Sequence, residues 1–357
     1  YLLFFILGLL SITSVYLKIK HKWNGLLLYT TVGVYFTHLL WFLNNPVLGN
    51  SIHVVTGPKI NALFVLLYMI VLGTGNLLRS KEIPEDNFII LNTFMNCFLG
   101  YGLFLLITLT TMKQYLFVTH FSASLLFLTT STLFWVREKS KFSTFFYSIL
   151  GYTALSVAIL YYFRMPDSLV WLCWQSLLVI STALWFRSKI IVVANFVIFL
   201  MIFMGYLVFA REIGLSSLSF GIVALLSARI MNWQKSRLEL KTELMRNLYL
   251  ISAFFTLPYA LYFNIPKGYI SLSWMGVAII YYLMSVFLNN KKYRWMALST
   301  IILTIVYILV VGVAQLDPVY RIVSFIVIGI ILLITSIIYT RIRTKNENSE
   351  IPEKKEQ

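Results

Sequence analysis

Seven residues interrupt otherwise apolar stretches in ways that bear on chemistry. Asn92 and Asn96 stand four positions apart, so on a helix both project from one face. Gln175 and Asn195 are further amides within apolar runs, and His38 and His120 are the histidines there. In a membrane, amides either join helices through hydrogen bonds or line a polar cavity, and the joining role is the commoner use of these side chains. A histidine in oil costs free energy unless it is neutral and hydrogen-bonded, so both are predicted to face the protein interior in a packing role. Pro258 lies inside the apolar run 247–264, where the missing N–H predicts a kink. The sharper alternative is a broken helix beside a binding cavity. His38, Asn92, Asn96, His120, Gln175, Asn195 and Pro258 together form a candidate polar cavity.

A second set pairs opposite charges near the ends of apolar runs: Arg164 with Asp167, Arg211 with Glu212, and Asp317 with Arg321. Local pairing at helix ends is the ordinary reading. The functional alternative is an outer vestibule for an anionic headgroup or a glycan, using arginine for bidentate recognition. All thirteen acidic residues lie outside the apolar runs. No intramembrane carboxylate is therefore on offer for a proton relay, which argues against proton-driven chemistry. Cys97 and Cys173 fall in apolar runs without metal-ligand spacing and read as packing residues. Nothing matches a phosphate loop, a zinc helix, a nucleophile elbow or a dinucleotide loop, so no metal or cofactor is expected.

The elements that carry these residues follow from composition. With 59% hydrophobic and 12% charged residues, the chain cannot cover itself with polar surface. A helix needs about 20 apolar residues to cross a hydrocarbon core of about 30 Å. That rule divides the chain into runs at 1–17, 26–43, 60–78, 88–111, 115–136, 143–163, 169–186, 190–210, 216–231, 247–264, 269–288, 295–314 and 320–340. The expected fold is all-α, a polytopic transmembrane helix bundle of about 13 helices spanning 1–340, followed by a disordered cytoplasmic tail at 341–357. The chain opens on Tyr1 inside an apolar run, which reads as a truncated start.

Of the 29 Lys and Arg residues, 23 fall after odd-numbered runs; the other six are Lys59, Lys113, Arg164, Arg211, Lys267 and Arg321. Net charge +16 in this alternating pattern points to a bilayer with anionic lipids, and away from nucleic acid. The positive-inside rule places the odd connections and the C-terminus in the cytoplasm and the visible N-terminus outside. Residues 229–246 mix Leu and Met with charge and read as a short helix on the inner surface or as a solvated linker. At an offset of 100, YFRMPDSLVWLCW (162–174) meets YFNIPKGYISLSW (262–274) with Tyr, Phe, Pro, Leu and Trp coinciding. A serial two-helix hairpin, repeated in one direction, is the unit this predicts.

The stretch 294–341 has an Arg before the penultimate run, an Asp in the turn, then Y-R-x-x-S-F-x-x-x-G-x-x-L-L and a closing Tyr. These are Arg294, Asp317, Tyr320, Arg321, Ser324, Phe325, Gly329, Leu332, Leu333 and Tyr339. The pattern resembles the end of a bacterial family of predicted membrane proteins, domain of unknown function 2339. Members of that family are usually longer and often begin with a soluble cytoplasmic region, and no such region is read in residues 1–357. The resemblance implies a serial helix bundle in a bacterial inner membrane and brings no activity with it. The leading expectation is a non-catalytic envelope scaffold or passive lipid conduit. A transporter or flippase, needing the polar residues to converge near Pro258, is the second. A membrane-embedded transferase using the outer Arg and Asp residues is the third. The expected partners are the lipid bilayer and anionic lipid headgroups or a lipid-linked glycan.

Overall fold

The computed structural model describes residues 1–78, 86–233, 243–312 and, within 318–337, all but 321, 324, 328, 331, 332 and 335. The fold is all-helical, and the described residues form thirteen α-helices and no strand. In order these are α1 (Leu2–His21), α2 (Asn24–Phe42), α3 (Asn61–Leu77), α4 (Asn87–Thr111), α5 (Leu116–Glu138) and α6 (Lys141–Tyr162). Then come α7 (Asp167–Trp185), α8 (Lys189–Phe209), α9 (Leu218–Trp233), α10 (Glu243–Asn264), α11 (Ile270–Phe287) and α12 (Lys291–Tyr307). A thirteenth begins at Pro318. Among the described residues ten, counting the 3-10 turns that precede α5, α9 and α11 and the π turn that follows α12, are long and apolar enough to cross a membrane, which makes this a membrane-embedded, multi-pass chain. The exceptions have local causes. Helix α3 has 17 residues, about 26 Å of rise. Helix α10 opens with the polar turn ELMRN and carries Pro258, and the last helix is described only in part.

The ends are written in the sequence. Ser140 caps α6 by accepting from Ser143 N at 3.1 Å, Asp86 caps α4 by accepting from Ile89 N at 2.8 Å, and Asn290 accepts from Lys292 N at 3.0 Å before α12. Four connections are tight turns through one left-handed residue: Lys22 between α1 and α2, Lys139 between α5 and α6, Arg187 between α7 and α8, and Asn289 between α11 and α12. Glycine is the usual choice at such a position, because a Cβ there costs about 1 kcal/mol. Three of the four carry a cation instead. Each turn folds an odd-numbered helix back on its successor, so these pairs are antiparallel hairpins.

The chain divides into two compact units, the first comprising 1–209 and 233–242 and the second 210–232 and 243–357. The first unit packs around Val34, Tyr35, Val65, Met69, Cys97, Phe104, Phe127 and Tyr147. Small residues let its helices close: a Cβ on Gly73 would lie 2.5 Å from the Tyr147 hydroxyl. Lys18, expected in a connection, is inside α1 and only 6% exposed. Its ammonium donates to the carbonyls of Gly75 and the Asn76 side chain, so burial is compensated by hydrogen bonds. The second unit packs around Trp274, Met275, Ala278, Ile301 and Ile308. At one end of it Glu243 pairs with both Arg246 (3.1 Å) and Lys292 (2.9 Å), while Arg246 also donates to Asn232.

Candidate functional site

The amides of α4, Asn92 and Asn96, face inward and bind neighbouring helices. Asn96 accepts from the Tyr35 hydroxyl of α2 at 2.6 Å and donates to the Met69 carbonyl of α3 and the Tyr147 hydroxyl of α6, both at 3.0 Å. One turn earlier, Asn92 accepts from Thr31 of α2 at 2.7 Å, and its Nδ2 has no partner among the described residues. His120 of α5 lies between Tyr101 (3.1 Å to Nδ1) and Thr108 (2.9 Å to Nε2) of α4. Because Thr108 Oγ1 can give its proton to the Phe104 carbonyl at 2.9 Å, it accepts from Nε2–H while Nδ1 accepts from Tyr101. A neutral imidazole is satisfied at both nitrogens by that arrangement. These contacts tie helices together; of the residues named, Tyr35 also lines an apolar opening of about 330 Å³ between α2 and α4.

His38 differs. It is fully buried, stacked on Phe4 at 4.8 Å and edge-on to Trp41 and Tyr68, and neither ring nitrogen has a hydrogen-bond partner among the described residues. It packs as an aromatic ring. Pro258 lies within a continuous α10, and its carbonyl accepts from the Trp274 indole at 3.0 Å. That bond gives the repeated Trp of the 262–274 motif a structural role.

Gln175 and Asn195 do share an opening. A crevice of about 290 Å³ lies between α6, α7 and α8. Its floor is formed by the buried Ser148, Tyr152, Gln175, Ser176 and Asn195, and its rim by the exposed Thr153, Ile190, Ala194 and Ile198. The opening therefore faces sideways, toward the surface that lipid covers on a membrane-spanning helix. None of the described lining residues is charged.

Proton counting defines what this floor offers. Gln175 Nε2 donates to the Tyr152 carbonyl at 2.8 Å and to Ser156 Oγ at 3.0 Å, which uses both amide protons. Ser156 has one proton, and the Tyr152 carbonyl at 2.9 Å is a better acceptor for it than Gln175 Oε1 at 3.3 Å. Gln175 Oε1 is left with acceptor capacity toward the crevice. Asn195 Nδ2 is engaged by Ser176 O and Oγ at 3.1 and 3.0 Å. On the floor the Gln175 amide protons are thus spent internally while its Oε1 keeps acceptor capacity. An incoming group with an O–H to give, and no charge, complements it.

The remaining polar candidates are placed separately. Arg164, Asp167, Arg211 and Glu212 are exposed, and among the described residues no ion pair joins Arg164 to Asp167 or Arg211 to Glu212. Asp317 and Arg321 lie outside the described residues, as does the 341–357 tail. Ser148, Tyr152, Ser156 and Ser176 were not singled out from sequence. The first three repeat at intervals of four along α6, the spacing of one helix face, which is the signal that could have found them. No cluster of three metal-binding side chains occurs among the described residues. Comparison with protein-family models, curated proteins and solved structures returns no match to this chain.

Proposed function

We propose that this is a non-catalytic protein of a bacterial inner membrane that holds the uncharged, hydroxyl-bearing part of a lipid or lipid-linked molecule in the α6–α8 crevice, as a scaffold or passive conduit. The single observation that carries the reading is a charge-free floor, with the spare acceptor Gln175 Oε1, behind a mostly apolar rim that opens sideways. A volume of about 290 Å³ is at the lower end of ligand pockets, enough for a headgroup or part of a chain. The resemblance of 294–341 to a bacterial membrane family supports the compartment. The excess of Lys and Arg on alternate connections supports an orientation with those connections in the cytoplasm.

The test uses the purified full chain in nanodiscs with a photoactivatable diacylglycerol, which is neutral and carries one free hydroxyl, and its O-methyl ether as control. Labelling is expected to concentrate on peptides bearing Thr153, Ala194 and Ile198. Gln175→Leu is expected to reduce it about fivefold, the worth of one hydrogen bond of about 1 kcal/mol. Equal labelling by the ether, or labelling spread evenly over other exposed apolar positions such as Phe36 and Phe255, would overturn the reading.

A further inference from the structure

A second opening shares no lining residue with the crevice. It has a volume of about 570 Å³ and lies where α5 and α7 end, lined by Trp135, Val136 and the turn residue Lys139 on one side and by Ser181, Trp185 and the turn residue Arg187 on the other. Phe186 is buried between the two indoles, with ring centroids 5.7 Å from Trp135 and 5.3 Å from Trp185. The wall is therefore aromatic and the mouth is cationic.

Three observations bear on what occupies it. Lys139 and Arg187 are exposed, and no carboxylate stands within ion-pair distance of either among the described residues. Both adopt left-handed backbone, at φ 49° and 54°, where glycine would fit without strain, so a charged side chain stands there at a backbone cost. The two helix C-termini, whose carbonyls would repel an anion, are each followed within four residues by a helix N-terminus, of α6 and α8. The end dipoles thus offset one another, and the charged residues of the lining are Lys139 and Arg187.

Both helices are long enough to span, so their ends and the two tryptophans stand at headgroup depth. A cationic pocket between transmembrane helices with an amphipathic aromatic wall matches a phosphate attached to apolar chains. We propose that this pocket binds the phosphodiester of an anionic glycerophospholipid, with Lys139 and Arg187 on the phosphate and Trp135 and Trp185 against the glycerol and first methylenes. The assignment is independent of the crevice, which carries no charge and takes a neutral group.

The experiment is native mass spectrometry of the full chain in neutral detergent, titrated with short-chain phosphatidylglycerol, phosphatidylcholine of the same chains, or inorganic phosphate. Phosphatidylglycerol is expected to bind tightest. Lys139→Gln and Arg187→Gln are each expected to weaken it about fivefold, and the double variant about 25-fold. The charge-preserving swap Lys139→Arg with Arg187→Lys, which keeps the turns cationic, is expected to retain at least half the affinity. Equal binding of the two lipids, an unchanged preference in the double variant, or competition by inorganic phosphate at equimolar concentration would each overturn the lipid assignment.

Discussion

Asn96 bonds to three other helices of the first unit, so a single change there reaches all of them. Replacing it with leucine, similar in volume, deletes three hydrogen bonds to three helices. At about 0.6 kcal/mol for each interhelical bond in a membrane protein, the bonds alone amount to about 2 kcal/mol. The Tyr35 and Tyr147 hydroxyls are then buried without their partner, and the Tyr147 oxygen cannot swing toward α3, since it already occupies the space a Cβ on Gly73 would need. Leaving such groups unpaired adds about 1 kcal/mol or more, so the expected cost is about 2–5 kcal/mol. Asn92 is an internal reference. It accepts one bond, from a Thr31 hydroxyl that keeps the Leu27 carbonyl at 2.8 Å as an alternative, and its Nδ2 is unpaired already. Asn92→Leu should cost about 1 kcal/mol or less. The assay is unfolding in mixed micelles by sodium dodecyl sulfate, followed by far-ultraviolet circular dichroism. Adding Tyr35→Phe and Tyr147→Phe to Asn96→Leu should restore part of the loss, because removing both partners costs less than stranding one. An Asn96→Leu protein as stable as its parent, or no recovery in the triple variant, would refute the reasoning.

Two further outcomes follow from burial. His38→Phe keeps the stacking on Phe4 and removes two unpartnered nitrogens, so stability in the same assay should rise by about 1 kcal/mol; a loss of that size would mean the imidazole has a polar role. Arg164→Ala and Arg211→Ala remove exposed side chains without an ion pair to Asp167 or Glu212, and each should change stability by less than about 0.5 kcal/mol. A larger fall would show that these arginines hold the fold.

The positions of the helices were legible because the deciding signals are local. A run of apolar residues long enough to traverse oil declares itself within a few positions, and in the structure Asp86, Ser140 and Asn290 cap the starts of three such helices. The same holds for Asn92 and Asn96 sharing a face. The turn at Lys139 was placed correctly as a break, but its left-handed backbone carries no glycine to announce it. Lys18 was misplaced because a lysine at the end of an apolar run looks solvated until Gly75 and Asn76 are seen to receive it.

What the sequence determined by itself is the material of the protein: all-helical, built of segments that oil can solvate, with amides as its scarce interior polar groups. Tertiary structure alone decided which of those groups meet. Asn96 finds Tyr147 across 51 residues and Gln175 finds Tyr152 across 23, and both encounters depend on how each helix is rotated about its own axis. Helix formation is settled by neighbours within four positions, whereas rotation is settled by packing against other helices. Adjacent amides on the sequence could therefore be assigned to helices in advance, and the division between sealed interior bonds and an open crevice could not.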